Sequence, residues 1–374
     1  MRIGIDISQI VHEGTGVATY TKELVKGLAY QQANKGSNEL VLFGASLRRF
    51  GILKGFMATL PKKNIRSRIY PMPPSVALPL FNTLPRLPIE WFTGNLDVYQ
   101  SSDWLEPKAS CPKVTVVHDL AMLKFPEVAH PSILATHKNK LRLVKEESSL
   151  VIAVSKATKQ DLIELLGFKE NKIIVIYEAP SEEYKTGIRN TPASKRVLEK
   201  YGIEGPYLLA VGTREPRKNL PRIIEGFRRL SNRGLRLVIV GKYGWGPDVV
   251  KTDNVYPIGF VPLEDMPALY SSAEAFVYPS LYEGFGLPVL EAMSCETPVV
   301  TSNRSSLPEV AGEAAVLVNP LSADEIAVGI KTAMKDRAIL TRKGLVQAQK
   351  FSWDKTAKET LAVYNQALLL NNGK

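Results

Sequence analysis

Two acids stand eight residues apart in "SLYEGFGLPVLEAMSCETPVV", Glu283 and Glu291, around a turn of glycine, phenylalanine, leucine and proline. Gly284 and Gly286 let the backbone come close to another group. Pro288 suits the first position of a helix, and "VLEAM" carries that helix onward after the strand-like "AEAFVYPS". A strand, a glycine turn and a helix start aim free N–H groups and a helix dipole at one point, which is an anion-binding geometry. With an acid on each side, the stretch reads as a phosphate cradle for a nucleotide that carries a hydroxyl-rich group.

A second glycine turn, "AVGTREPRKNL" (210–220), follows a strand and opens a helix, with Arg214, Arg217 and Lys218 clustered beside it. Cations are disfavoured at that end of a helix, so their presence calls for an anion. A nucleoside diphosphate leaving group needs its charge neutralised by Lys or Arg where no metal does so. The chain contains no Asp-x-Asp pair to hold a divalent cation at a diphosphate, and no metal or other cofactor is expected. "VTVVHDL" places His118 and Asp119 at the end of a strand, where His118 projects toward a ligand. His12, His130 and His137 show no metal-ligand spacing and read as ordinary. "HEGTGVATYTKEL" puts Gly14 and Gly16 before the first helix, but Thr19 stands where a dinucleotide fingerprint needs its third glycine.

These residues need rigid elements to converge. At 374 residues the chain exceeds what one core usually holds. Short β-branched runs alternate with helical periods from end to end: "RIGIDIS", "ELVLFG", "LDVYQSS", "KVTVVHD", "SLVIAVS" and "KIIVIYEAP", then "YLLAVG", "LRLVIVG", "NVYPIG", "AEAFVYPS", "TPVVTS" and "AAVLVN". Continuous apolar strands between helices predict parallel sheets covered on both faces. Twelve strands exceed one comfortable sheet, so two doubly wound domains are expected. The polar stretch "EAPSEEYKTGIRNTPAS" (178–194) is the natural seam. The last segment, "SWDKTAKETLAVYNQALLL", is helical, with an N-cap candidate at Ser352 or Asp354.

Composition is that of an ordinary globular protein, 45% hydrophobic and 23% charged. No apolar run approaches the ~20 residues of a membrane-spanning helix. "MRIGIDIS" lacks the core of a signal peptide. With only Cys111 and Cys295 there is neither a disulfide framework nor a zinc pattern, and a cytoplasmic setting is expected. The net charge of +11 is uneven: residues 35–86 hold nine basic side chains and one acid, Glu39. That excess points to an anionic partner.

Taken together, "EGFGLPVLEAM", "GTREPRKN", "GFV" (259–261), "SLPEVAGEAAVLVNP", "FSWDKTAKETLAVY", "GTGVATYTKEL" and "VHDL" resemble a retaining nucleotide-sugar glycosyltransferase of family 4, with the GT-B fold. The resemblance implies two Rossmann-like α/β domains facing a central cleft: an acceptor domain at 1–185, a donor domain at 186–352, and a final helix at 353–374 that returns to the first. It implies that Glu291 binds the donor ribose and Glu283 the transferred sugar. The amides of Gly286 and Leu287 would hold the diphosphate, with Lys218 neutralising it. Gly16 would approach the phosphates, His118 would contact the sugar, and Phe260 and Val261 would hold the base. Many relatives carry an arginine directly after the glycine of "VG", where this chain has Thr213, so either Arg214 or Arg217 supplies the second cation.

The resemblance also implies front-face attack with retained configuration, since no covalent carboxylate nucleophile stands out. "EPRKN" with "SLPEV" resembles bacterial mannosyltransferases of surface-polysaccharide assembly, which makes GDP-mannose the first expected donor, before UDP-glucose and UDP-N-acetylglucosamine. Acceptors of such enzymes are glycans or lipid-diphosphate-linked glycans. The basic residues at 35–86, interleaved with Phe56, Met57, Leu80, Phe81, Trp91 and Phe92, fit peripheral contact with the anionic inner face of the cell membrane. An epimerase of the same fold, an oxidoreductase and a nucleic-acid-binding protein are the rivals. The broken glycine fingerprint speaks against the oxidoreductase, and the lack of a nucleic-acid-binding motif against the last.

Overall fold

The computed structural model describes all residues except 36–37, 84, 127–130, 233, 243, 245, 247–248 and 373–374. His130 therefore lies outside the described residues, as does the Lys35 side chain. The chain divides into two compact units, Met1–Glu178 with Trp353–Lys374, and Ala179–Ser352. The first division falls at the start of the polar stretch 178–194, seven residues before the expected 185.

The first unit is built on β1 (Arg2–Asp6), β2 (Glu39–Ala45), β3 (Ile65–Tyr70), β4 (Val98–Ser101), β5 (Lys113–Val117), β6 (Leu150–Ala153) and β7 (Ile173–Val175). They pair in the order β3-β2-β1-β4-β5-β6-β7, all parallel. The second unit has β8 (Tyr207–Val211), β9 (Arg236–Val240), β10 (Val255–Gly259), β11 (Ala275–Tyr278), β12 (Val299–Ser302) and β13 (Ala315–Val318). Their order is β10-β9-β8-β11-β12-β13, again parallel throughout. In each sheet the winding reverses once, between β1 and β4 and between β8 and β11. The crevice outside the carboxyl ends of those strands is where doubly wound sheets take their ligands. The central strands are buried from end to end because helices cover both faces.

Sequence periodicity gives twelve strands, and the described residues form thirteen. The addition is β3, "IRSRIY", whose Arg66 and Arg68 look like part of a basic cluster. It is the edge strand, only partly buried, so alternation with charged residues is tolerated there.

The basic stretch is also less uniform than its composition suggests. Arg86 is buried and pairs with Glu147, and Arg66 pairs with Glu39. Phe56 and Phe81 are buried, and Phe81 and Phe92 join the cluster around Phe43. These aromatics therefore belong to the core rather than to an exposed face. Trp91 alone among the six stays open, at 73% exposure.

The last helix, Trp353–Asn372, packs within the first unit. Thr356 donates to the Tyr177 carbonyl at 2.7 Å, and the Tyr364 hydroxyl to Gln100 Oε1 at 2.6 Å. Gly27 makes this contact possible: a Cβ there would lie 3.1 Å from the Trp353 carbonyl oxygen and from Ala357 Cβ. The core of the second unit joins side chains of β8–β13 to those of flanking helices, among them Leu220, Phe227, Ile326 and Ile330.

Candidate active site

The site of the second unit grows from two loops at the switch point. Beyond β8 the chain passes Gly212, whose φ of +146° only glycine readily adopts, then forms a short 3-10 turn at Pro216–Lys218. Asn219 closes it in a left-handed conformation. Its side-chain amide donates to the Pro279 carbonyl at 3.0 Å and the Pro320 carbonyl at 2.6 Å. That bridge fixes the cation-bearing turn against the end of β11. The helix itself begins only at Leu220, so Arg214, Arg217 and Lys218 sit ahead of its N-terminus.

The facing loop carries Glu283 and Gly286. The Ser305 hydroxyl donates to the Glu283 carbonyl at 2.5 Å, while Ser306 donates to the Phe285 carbonyl at 2.6 Å. Gly286 has φ +113°, which side-chain-bearing residues rarely adopt, and a Cβ there would lie 2.8 Å from the tip of Leu307. It caps the helix Leu287–Ser294. Among the described residues, the amides of Gly286 and Leu287 donate to no backbone or side-chain acceptor. They remain available to an anion.

The two loops meet at Glu283. Lys218 Nζ lies 2.7 Å from its Oε1 and Arg217 Nη1 2.7 Å from its Oε2. Burial alone would raise the Glu283 pKa, but the Lys218 and Arg217 charges prevail and pull it down to about 2. Burial, seconded by the neighbouring Arg217 charge, holds the Lys218 pKa below its ordinary value. The ammonium also donates to the Tyr278 hydroxyl at 2.6 Å. Arg217 is further held by Glu215 at 2.7 Å. Arg214 is buried, with its backbone carbonyl accepting from the Gly246 amide at 2.7 Å. Of the two arginines, then, Arg217 shares the Glu283 carboxylate with Lys218. Thr213 stands partly buried between Gly212 and Arg214.

Glu291 has the opposite character. It accepts from the Tyr270 hydroxyl at 2.9 Å and from Tyr184, and burial pushes its pKa up to about 7. The two tyrosine rings meet edge to face at 5.8 Å. Phe260 is exposed at the end of β10, with Lys242 Nζ 4.6 Å from its ring centre, whereas Val261 is buried.

Gly16 and His118 belong to the first unit. Gly16 begins the helix Gly16–Lys35, and no atom lies within 4 Å of where its side chain would be. His118, at the end of β5, stacks edge to face on Tyr20 at 4.7 Å, and its Nδ1 lies 3.1 Å from Glu178. Burial lowers its pKa, but the Glu178 hydrogen bond and charge outweigh that and leave it raised. Sequence reasoning missed Glu178 and the two tyrosines around Glu291. Glu178 carried a signal, an acid just past a strand in "VIYEAP"; Tyr184 and Tyr270 carried none.

Comparison with known proteins joins this geometry to named chemistry. The family model "Glycosyl transferases group 1" matches residues 194–350 and "Glycosyltransferase Family 4" matches 14–179. The chain is 35% identical over 284 residues to the O-antigen chain mannosyltransferase B of Escherichia coli, covering 71% of this chain and 74% of that one. It is 30% identical over 300 residues to the serotype-specific mannosyltransferase WbdA of Escherichia coli, which is much longer: the match spans 75% of this chain but 36% of WbdA. Among solved structures, Anabaena HepE in complex with UDP and glucose superposes with a TM-score of 0.70 at 16% identity, over 97% of this chain and 99% of that one. Sucrose-phosphate synthase from Thermosynechococcus elongatus follows at 0.69 and 19%, over 98% of each. The shared fold is GT-B.

The raised Glu291 pKa has a thermodynamic consequence. Between about pH 4.5 and about 7 the folded chain keeps a proton that the unfolded chain has lost. The stability this contributes is therefore complete below 4.5 and lost as pH rises through 7. Melting curves from pH 4 to 8 should show Glu291→Gln losing less stability than wild type across that window. Parallel curves would mean that Glu291 is ionised in the folded chain.

Proposed function

The chain belongs to glycosyltransferase family 4, and we infer that it moves mannose from GDP-mannose, with retention of configuration, onto a glycan or lipid-linked acceptor. The observation that carries this reading is the convergence of Lys218 and Arg217 on one loop and the open Gly286 and Leu287 amides on the other, at the switch point of the second sheet. Together they form a site for a diphosphate flanked by two carboxyls. The mannosyl preference is supported by what the relatives are called. UDP-glucose and UDP-N-acetylglucosamine are the alternative donors.

In this reading Lys218 and Arg217 neutralise the leaving diphosphate, and the helix N-terminus holds it. Glu283, whose carboxylate the same cations keep ionised, accepts from hydroxyls of the transferred sugar. Glu291 takes the ribose, and Phe260 with Val261 borders the base. The departing phosphate accepts the acceptor's proton, so catalysis is positioning and leaving-group stabilisation. The first unit takes the acceptor, and its His118, held by Glu178, and Gly16 are the residues of that unit offered to ligand.

Because cationic side chains serve the diphosphate, GDP-mannose should be turned over in excess EDTA, with GDP released. An enzyme silenced by EDTA and restored by Mg²⁺ or Mn²⁺ would refute metal independence. Should GDP-mannose survive while UDP-glucose is consumed, the donor assignment alone falls.

Lys218→Ala should lower turnover by roughly 10²–10³-fold, the size seen on deleting one preorganised charge-stabilising group. A folded variant with unchanged turnover removes Lys218 from the site.

Among the described residues no helix is long and apolar enough to cross a membrane. The reading includes a cytoplasmic enzyme in peripheral contact with anionic lipid. The surface involved would be narrower than composition suggests: exposed Arg48, Lys54, Lys62 and Lys63 with Leu47, Val76 and Trp91. Co-sedimentation with phosphatidylglycerol vesicles should be strong at low salt and fade as salt screens the charges. Lys62→Glu with Lys63→Glu should weaken it, and wild type that ignores such vesicles at low salt excludes the contact.

A further inference from the structure

Glu291 is the open residue in a closed stretch. From Val289 to Cys295 every other residue is buried, and Glu291 alone keeps partial exposure. Its Oε2 accepts from the Tyr270 hydroxyl at 2.9 Å, and Tyr184 supplies a second hydrogen bond. Both tyrosines are buried, with 5.8 Å between their ring centres.

Both rings are fixed from behind. Tyr270 lies on the helix Met266–Ser272, where its ring meets Phe276 edge to face at 5.2 Å and its carbonyl accepts from the Thr297 hydroxyl at 2.6 Å. Tyr184 lies in the stretch before β8, and its amide donates to the Ser181 carbonyl at 3.1 Å. Just beyond it, the Gly187 amide donates to Glu296 at 3.0 Å, and Arg189 donates to the Ala273 carbonyl at 3.1 Å and to Glu274 at 2.7 Å. These bonds pin the stretch to the second unit. Packing alone does not call for such a cluster, because phenylalanines and an apolar residue would fill the space with no carboxyl to desolvate.

Charged groups on the neighbouring elements are engaged elsewhere. Arg337 donates to the Ala273 and Glu274 carbonyls at 3.1 and 2.7 Å, and Asp265 holds Lys200 at 2.6 Å. Neither these nor Glu183, Tyr278, Glu309, Arg342 or Lys343 sets the state of the carboxyl, which follows from burial first and the two tyrosines second. Cys295, one turn further along the same helix, is the remaining titratable neighbour. Burial, then the Glu291 charge, pushes its thiol up to about 12.

The count of acceptor positions selects the ligand. An ionised carboxylate offers about four lone-pair positions. Two tyrosine hydroxyls leave about two of them open, which match the two O–H donors of a vicinal diol. A protonated carboxyl loses that match, since it has become a donor itself.

We propose that Tyr270 and Tyr184 are positioning residues for nucleotide binding: their hydroxyls fix the Glu291 carboxyl so that its remaining lone pairs receive the ribose diol. The assignment rests on the donor reading above and adds to it a proton linkage. Glu291 keeps its proton up to about pH 7 in the free chain. Capture of the diol releases that proton to solvent, so affinity grows with pH until the carboxyl is already ionised. The tyrosine bonds favour the ionised form, so removing one moves that midpoint upward.

Calorimetry of the full chain with GDP-mannose and UDP-glucose, whose diphosphates do not titrate near neutrality, tests the linkage between pH 5.5 and 8.5. The affinity of the ligand that binds should rise about tenfold or more from pH 5.5 to 7.5 and then level off. Tyr270→Phe should bind about tenfold more weakly at pH 7 and recover most of that loss at pH 8.5, a rescue that a merely structural role does not produce. Tyr184→Phe should move the midpoint in the same direction, and Glu291→Gln should abolish the pH dependence. A wild-type affinity flat in pH, or an unmoved midpoint in folded Tyr270→Phe, overturns the assignment and leaves the donor reading standing. If neither nucleotide sugar binds wild type at any pH, the donor reading falls and the tyrosine role falls with it.

Discussion

One carboxylate governs the second unit. Lys218 and Arg217 bring two positive charges into a partly buried crevice, and cations so placed need a counter-charge. Glu283 provides it with both oxygens. Removing either side of such a clasp leaves a buried charge unpaired, which is far more costly than the net value of the pair itself. The surrounding architecture serves that meeting. Asn219 ties the cation turn to the end of β11, Ser305 and Ser306 hold the Glu283 carbonyl, and Gly286 allows the chain to turn into its helix. In the proposed reading, an arriving diphosphate would bring the same kind of charge that Glu283 already offers, so the cations could turn to the ligand without being left bare.

The two acids of one short motif end up in different protonation regimes. Glu283 is held near 2 by adjacent cations, and Glu291 is raised near 7 by burial with only neutral hydroxyls for company. Spacing cannot reveal this. It arises from Tyr184, in the stretch between the two sheets' strands, and Tyr270, on the helix before β11, which no local pattern links to Glu291. Environment sets the role of a carboxyl, not its place in a motif.

Much of the fold was legible because parallel sheets leave continuous apolar strands between helices, and that signal is strong wherever both faces are covered. It failed at β3, where the edge position admits Arg66 and Arg68. It misled over the cations at 35–86, because composition does not distinguish a surface lysine such as Lys62 from Arg86, which turns inward to Glu147. The glycine turns and Lys218 were legible since their demands are local: a positive φ, or a cation ahead of a helix. Which of Arg214 and Arg217 stands beside Glu283 was not. It depends on the 3-10 turn closed by Asn219, which rotates Arg217 toward Glu283 and leaves Arg214 beneath Gly246.

The two sheets repeat one plan. Both reverse their winding beside their first strand, and both gather polar side chains where β1 parts from β4 and β8 from β11. At the second sheet the outlying charges are positive and enclose an acid, with open amides beside them, so the vacant capacity suits phosphate. At the first sheet the residues after the strands include Asp103 and His118, and His118 is held by Glu178 at 3.1 Å. The parallel sheet supplies the crevice in either case, and the few residues that follow each strand decide what it can hold. One plan can thus carry different side chains in each unit, because the loops after the strands, rather than the sheets, hold the residues that differ.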